Sequence, residues 1–434
     1  MKRVIVAIAL VGMAALLGFD LTRDAPAAPI GPKAPTYEST LADVAKERRR
    51  AQVMADAEPG SWSRRAHVAA QHLAYAQLTG DYDAYIAADK SLAEAFAVAR
   101  RSIDDDAVGP LLLKAQLSYE LHRLQPALDA LRAPERHAEF FGDRPLLAQI
   151  IALRGAVTFQ LGRYDEGLAL LKRAISIDPK PEHKQRLALS LAHVGEDREA
   201  ERLLEQTEAQ TAGRSRAWLE LQRGLLVLER GRRADARAHF EKAVALFPGY
   251  WQAEERLAEL DAEEGRKEQA ITAYRSLIER TGDPEFMDAL AQLVEPSEAK
   301  RLLERSNELY EKRLRTLPET TYGHALEHYL MLDPNAQRAV TIAEKNRDLR
   351  PNGEARTRVA QAYFRAGRVA DARAEIDRVL ESKWRSAESF ATAAVILRHA
   401  GDAKAARAAA DKAIALNPHA VEESAWLEDH LSSK

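Results

Sequence analysis

The chain has 434 residues, 46% of them apolar and 30% charged, the balance of a globular protein and not of a disordered one. Its 63 Lys and Arg oppose 66 Asp and Glu, a formal charge of -3, so no global field draws it to nucleic acid or to an anionic membrane. The absence of cysteine excludes disulfides, thiolate nucleophiles, cysteine-based zinc or iron-sulfur sites and an acylated lipoprotein cysteine.

Lys2 and Arg3 precede an unbroken apolar run from Val4 to Phe19, closed by Asp20. That order predicts an export segment over residues 1–19. The run is long for a signal core and short for a spanning helix, so a cleaved signal and a retained membrane anchor both stay open. The positive-inside bias keeps the two basic residues in the cytoplasm and sends the remainder across. The expected location is therefore periplasmic or otherwise exported, tethered to the inner membrane if the segment is retained. Residues 20–38 are rich in proline and alanine and read as an extended linker.

Beyond the linker, glycine supplies a ruler. Gly80 is followed by Gly162, Gly195, Gly231, Gly265, Gly367 and Gly401, the last six at intervals of 33, 36, 34, 102 and 34. Pro179, Pro248, Pro318, Pro351 and Pro418 supply a second, separated by 69, 70, 33 and 67. A period of about 34 residues is the signature of stacked helical hairpins, none of which can bury its apolar stripe alone. Small residues twelve apart mark where the two helices of each hairpin would cross: Ala115 and Ala127, Gly155 and Gly167, Ala188 and Ala200, Gly224 and Ala236, Ala258 and Ala270, Ala360 and Ala372, Ala394 and Ala406. Antiparallel helices approach to roughly 8 to 10 Å only where the crossing carries little side chain. The hairpin around Gly80 departs from this, with Leu73 and Tyr85. Large residues follow the second small position at Leu131, Leu171, Leu204, Phe240, Tyr274 and Ile376, with Ala410 in the last hairpin.

These residues resemble the tetratricopeptide repeat. The resemblance implies an all-α fold, a right-handed α-solenoid of stacked helix-turn-helix hairpins, and the usual role of such arrays, which is to hold a partner protein. It covers residues 39–284 as N-terminal repeats and 353–420 as C-terminal repeats. Between them, residues 285–352 read as irregular hairpins: Met287–Val294 a short first helix, a long second helix from Ser297 after Pro296, and a turn at Asp333-Pro334. Thr40–Met54 reads as a polar leading helix, and residues 421–434, with Trp426, as a capping helix and tail.

The repeats leave little room for a catalytic domain, and no glycine-rich phosphate loop or nucleophile elbow appears. Asp104-Asp105-Asp106 with Gly109 begins like a calcium loop but carries Val108 and Ala115 where ligands belong. His324, Glu327 and His328 fit H-x-x-E-H, two imidazoles one helical turn apart beside a carboxylate. A zinc-dependent hydrolase is thus one alternative, opposed by ordinary helix packing, since no α/β scaffold or third acidic ligand accompanies the motif. The expectation is a non-enzymatic protein without a cofactor; a structural subunit of an envelope assembly is the other alternative.

In tetratricopeptide arrays the first helix of each hairpin lines the concave side. The resemblance places Gln149, Gln185, His193, Trp218, Gln252, Glu255, Glu259, Gln361, Arg365 and Arg398 there as partner-binding candidates, with Glu229 and Glu263 beside them. Glu255, Glu259 and Glu263 share one helix face; this suits a basic peptide segment, or is a hydrated face balanced by Arg256 and Arg266. Trp218 is the aromatic candidate for holding a partner, packing against the previous hairpin being its other reading. The asparagine of the carboxylate-clamp subtype is missing from every matching position, so chaperone C-termini are not the expected ligand. The expected partner is a protein or peptide and not nucleic acid, and the oligomeric state stays open.

Overall fold

The computed structural model describes residues 35–99, 108–332 and 335–431. The export segment, most of the linker, the Asp104–Asp106 loop and the Asp333-Pro334 turn lie outside the described residues. Among the described residues every regular element is helical. After α1 (Tyr37–Ala57) the helices pair in sequence as hairpins: α2 (Trp62–Thr79) with α3 (Tyr82–Ala99), α4 (Val108–Glu120) with α5 (Leu124–Phe141), α6 (Arg144–Gln160) with α7 (Tyr164–Ile177), α8 (Pro181–Ala192) with α9 (Asp197–Glu208) and α10 (Gly213–Glu229) with α11 (Arg233–Leu246). The series continues with α12 (Trp251–Glu263) and α13 (Lys267–Thr281), α14 (Pro284–Ala291) and α15 (Pro296–Thr316), α16 (Pro318–Glu327) and α17 (Ala336–Leu349), α18 (Gly353–Arg365) and α19 (Val369–Glu381), and α20 (Ala387–His399) and α21 (Ala403–Leu416). The fold is a right-handed α-solenoid of stacked hairpins.

Local chemistry sets the helix ends. Asp143, Asn352, Ser386 and Asp402 accept the free N–H groups of Leu146, Ala355, Ser389 and Ala405. The hairpin turns at Gly162, Gly195, Gly231, Gly265, Gly367 and Gly401 take φ values between 73° and 85°, a region that costs glycine nothing. The α4–α5 turn has His122 at φ 56° in the same place, the one non-glycine residue with positive φ among the described residues.

The crossings fall at the small residues. A Cβ on Gly167 would stand 2.8 Å from the Phe159 nitrogen, and one on Gly224 would enter the Phe240 ring at 2.4 Å. First helices form an inner layer buried on most faces: α6 buries Ile150, Ile151, Ala152, Leu153, Val157 and Phe159. Second helices form an outer layer with one apolar stripe, as α9 does with Ala200, Leu203, Leu204 and Thr207.

The superhelix is wound so tightly that successive coils touch. The Trp251 indole N–H donates to the Leu78 carbonyl at 2.9 Å and its ring covers Gly80. Arg123 pairs with Glu319 at 3.2 Å, and the Asn352 amide donates to Gln160 at 2.6 Å. A Cβ on Gly162 would lie 2.8 Å from the Pro351 carbonyl. The Arg385 N–H donates to the His193 carbonyl at 2.8 Å, and Arg233 reaches Glu423 at 3.2 Å. Each early hairpin turn thus docks on a loop several hairpins further along, and the concave side becomes an enclosed core.

The C-terminal residues differ from the solitary helix expected of them. α22 (Ala420–Glu423) is a single turn, followed by a 3-10 turn over Ala425–Leu431 that folds back against α18 and α20. Arg365 donates to the Trp426 carbonyl at 3.0 Å and His399 meets Glu428 at 2.6 Å, which holds the tail across the end of the coil.

Candidate functional site

Most of the expected concave residues are consumed by the fold. Gln185 is buried and donates to Thr207 at 3.3 Å; Gln361, 1% exposed, donates to Glu388 and Thr392, both at 3.0 Å. Trp218, expected as the aromatic contact for a partner, is 4% exposed and packs in the core with Leu187, Leu191 and Leu219. Its neighbours on α8 and α9 take the space a partner would need, so the packing reading holds. Gln149 and Gln252 are half-buried. Arg365 is engaged by the carboxy-terminal turn, and Arg398 pairs with Glu428 at the outer rim.

The carboxylate row on α12 is not a hydrated face. Arg256 lies between Glu255 at 2.9 Å and Glu259 at 2.8 Å, all three withdrawn from solvent, whereas Arg266 turns away to Asp261 and Glu264. Burial pushes the carboxyls of Glu255 and Glu259 upward against the pull of Arg256.

The H-x-x-E-H residues are distributed among separate partners. His324 pairs with Glu285, His328 with Asp288 at 3.1 Å, and Glu327 with Arg358 at 2.7 Å. The π-helical turn His328–Leu332 begins inside the motif and breaks the regular register of the helix that carries it. Among the described residues no group of three or more His, Asp or Glu side chains is placed to hold a metal ion.

What the closed core retains is a cavity of about 190 Å³ in the C-terminal half. Four inner helices, α10, α12, α18 and α20, supply its walls, and the carboxy-terminal turns form its cover. Six carboxylates face it, Glu229, Glu259, Glu263, Glu354, Glu388 and Glu423, against three guanidinium groups, Arg233, Arg256 and Arg358. Each arginine is already shared: Arg233 between Glu263 at 3.3 Å and Glu423 at 3.2 Å, Arg256 between Glu255 and Glu259, Arg358 between Glu327 and Glu388 at 3.0 Å. Glu229 and Glu354 make no ion pair or side-chain hydrogen bond with a described residue. Burial lifts the Glu229 carboxyl to about 7, with Arg230 opposing and Glu354 reinforcing, and lifts Glu354 against Arg350 and Arg358. Glu263 is likewise lifted to about 7, by burial and then by Glu259.

The remaining wall is apolar and aromatic, with Leu225, Leu228, Met331, Trp384 and Trp426. His193, 9% exposed, is stacked on Trp384 with ring centroids 4.6 Å apart and planes 13° from parallel. Burial and the nearby Arg230 depress its imidazole to about 4, so it is neutral at ordinary pH. Of the cavity residues, sequence reading had found His193, Glu229, Glu259 and Glu263. It missed Glu354, Trp384 and Ser424, which sit at a helix start, in an inter-hairpin loop and at the chain's end, away from the positions that the repeat pattern reports.

Three family models described as the tetratricopeptide repeat match the chain: one over residues 148–181, one over 227–293, and one twice, over 334–387 and 360–421. No curated protein matches the sequence. Similar solved structures include yeast Tom70, with a TM-score of 0.41 and 14% identity over 92% of this chain and 91% of that one. A human IFIT1 dimer with m7Gppp-AAAA matches with a TM-score of 0.37 and 13% identity over 80% and 90% of the two chains. The APC/C hetero-tetramer Cut9-Hcn1 matches with a TM-score of 0.36 and 13% identity over 90% and 94%.

Proposed function

This chain is a tetratricopeptide-repeat protein, and on that basis we propose that it is an exported, non-enzymatic scaffold that holds a partner protein at the concave side of its coil. A protein–protein interaction scaffold is what repeats of this kind support. The observation that carries the finer reading is the cavity: where the rest of the concave side is filled by its own side chains, this part keeps a space lined by six carboxylates against three guanidinium groups. An acidic opening favours a basic segment of the partner and disfavours a nucleic-acid backbone, whose phosphates would meet like charge. Export rests on Lys2, Arg3 and the apolar run Val4–Phe19.

The test is site-specific photocrosslinking in the native host. A crosslinking residue is placed at Gln149 or Gln252 on the concave side, and at the exposed outer residues Lys172 and Arg407. Adducts with one protein confined to the concave positions, in a fraction that has left the cytoplasm, support the proposal. Adducts spread over the outer helices would instead favour a structural subunit of a larger assembly, and a purely cytoplasmic product would sink the export reading.

A further inference from the structure

The cavity has the features of a ligand site and not of a packing defect. Packing defects in protein cores are lined by apolar groups and stay dry. This one is lined on one side by carboxylates and on the other by indole and aliphatic surface. Two polar side chains that are more than nine-tenths buried face it without a hydrogen-bond partner among the described residues: His193 at 9% exposure and Ser424 at 5%. Both side chains are left to the space that the cavity offers. Beside them Glu229 and Glu354 make no direct ion pair, and burial disfavours their charged forms unless something cationic occupies the space.

We propose that this cavity binds a small organic cation, a primary ammonium or guanidinium group on a short alkyl stem, with its charged end at Glu229 and Glu354 and its stem against Leu225, Leu228 and Trp384. Each wall specifies one part of that ligand. The carboxylates demand positive charge, and charge-assisted hydrogen bonds give the strongest contact available to them. Trp384, stacked on His193, and Trp426, already facing Arg365, add apolar surface for the stem. Leu225, Leu228 and Met331 exclude a bare metal ion, which would want oxygen or imidazole on every side. The size follows from the volume: a cavity of about 150 Å³ accepts benzene, so about 190 Å³ suits a molecule of roughly six to nine non-hydrogen atoms. Ser424 and His193 can serve as acceptors for a second N–H group.

The inference rests on the concave side being the binding face, and it narrows what that face recognises. The same chemistry arises from two sources, a free small amine or the Lys or Arg side chain of a partner. Calorimetry on the full-length protein with agmatine, putrescine and N-acetyl-arginine methylamide separates them. Butanol and glutarate serve as the neutral and anionic controls. The expected result is saturable one-to-one binding of at least one cation, no binding of the controls, and a loss of about a hundredfold in Glu229→Gln/Glu354→Gln, from about tenfold for each lost charge-assisted contact. Leu225→Phe fills the space without altering its charge and should abolish binding, which keeps the test decisive if the double variant misfolds. Binding of agmatine or putrescine alone identifies a free amine, and binding of the capped arginine identifies a partner's side chain. The inference is overturned if no cation binds at millimolar concentration, if butanol binds as well as putrescine, or if the cavity-filling variant binds unchanged. Should the amines fail while photocrosslinks stay on the concave positions, the scaffold reading survives and the cavity site does not.

Discussion

At the scale of the residue, the carboxyls of Glu229 and Glu263 are the groups most out of balance with their surroundings. Both are lifted to about 7 by burial, while an unfolded glutamate ionises near about 4.3. The folded state therefore keeps protons that the unfolded state has released, and these residues lower stability as pH rises from about 4.5 through about 7. His193 acts in the opposite sense below its unfolded value, because its folded imidazole stays neutral down to about 4. The two effects cancel in part between those limits, so the raw pH profile is a poor probe. The difference between wild type and Glu229→Gln isolates one carboxyl. Groups that act on Glu229 are Arg230 beside it, Asp197 from α9, Glu354 from α18 and Glu388 from α20. The variant should melt at the same temperature as wild type near pH 4.5 and progressively higher toward pH 8; an equal gap at both ends would show that Glu229 is not desolvated. The same ionisation makes cation binding tighten across that interval.

Helix pairing carries the next scale, and there the small residues decide. Glycine inside a helix ordinarily costs about 1 kcal/mol relative to alanine. At Gly167 that gain is outweighed, because the added methyl meets the Phe159 nitrogen at 2.8 Å and the Gly155 carbonyl at 2.9 Å, backbone atoms that cannot swing aside. Gly167→Ala should destabilise by about 2 kcal/mol net, whereas Gly109→Ala, in the first turn of α4 with nothing but its chain neighbours within 4 Å, should be close to neutral, because the strain on a helical residue before Pro110 offsets the helix gain. Urea unfolding of both checks the signs, and a stabilising Gly167→Ala would mean the crossing is looser than drawn.

This level was also the most legible in the sequence. A twelve-residue spacing of small side chains is a direct image of two helices touching, and Ala115, Ala188, Ala258 and Ala360 are all buried at the contacts it implied. His122 went unread because its turn follows the others in everything but the glycine: Leu121-His122-Arg123 stands where Leu161-Gly162-Arg163 does. The concave side was harder. A repeat pattern reports which face of a helix points inward but not how far the coil tightens, since curvature accumulates from small rotations at each hairpin. Trp218 and Gln361 were therefore placed on the correct helices; packing against the previous hairpin was one of two readings for Trp218, and the enclosure of Gln361 was not among those for it.

For the whole molecule, the touching coils alter what a solenoid usually is. A stack in which each repeat meets only its neighbours unfolds piecemeal, with local openings that stay local. Here residues far apart in sequence share contacts, so opening one loop exposes another. Trp251 tests this. Trp251→Ala removes the donor to the Leu78 carbonyl and the cover over Gly80, and should destabilise by about 2 to 3 kcal/mol, somewhat less than a fully buried tryptophan. Hydrogen exchange should speed up in α2 as well as in α12. If protection changes only near the mutated helix, the coils do not stabilise one another.

The contact between coils also bears on how such a chain can change over evolutionary time. Open arrays lengthen or shorten by copying or losing a hairpin, because the new unit meets only its two neighbours. In this chain an extra hairpin between α9 and α18 would carry the Pro351 loop past Gly162 and the Arg385 loop past His193, breaking both contacts at once. The number of hairpins is therefore fixed in the way the number of teeth on a gear is fixed, and descendants of this protein should vary in side chains and at their ends while keeping their repeat count.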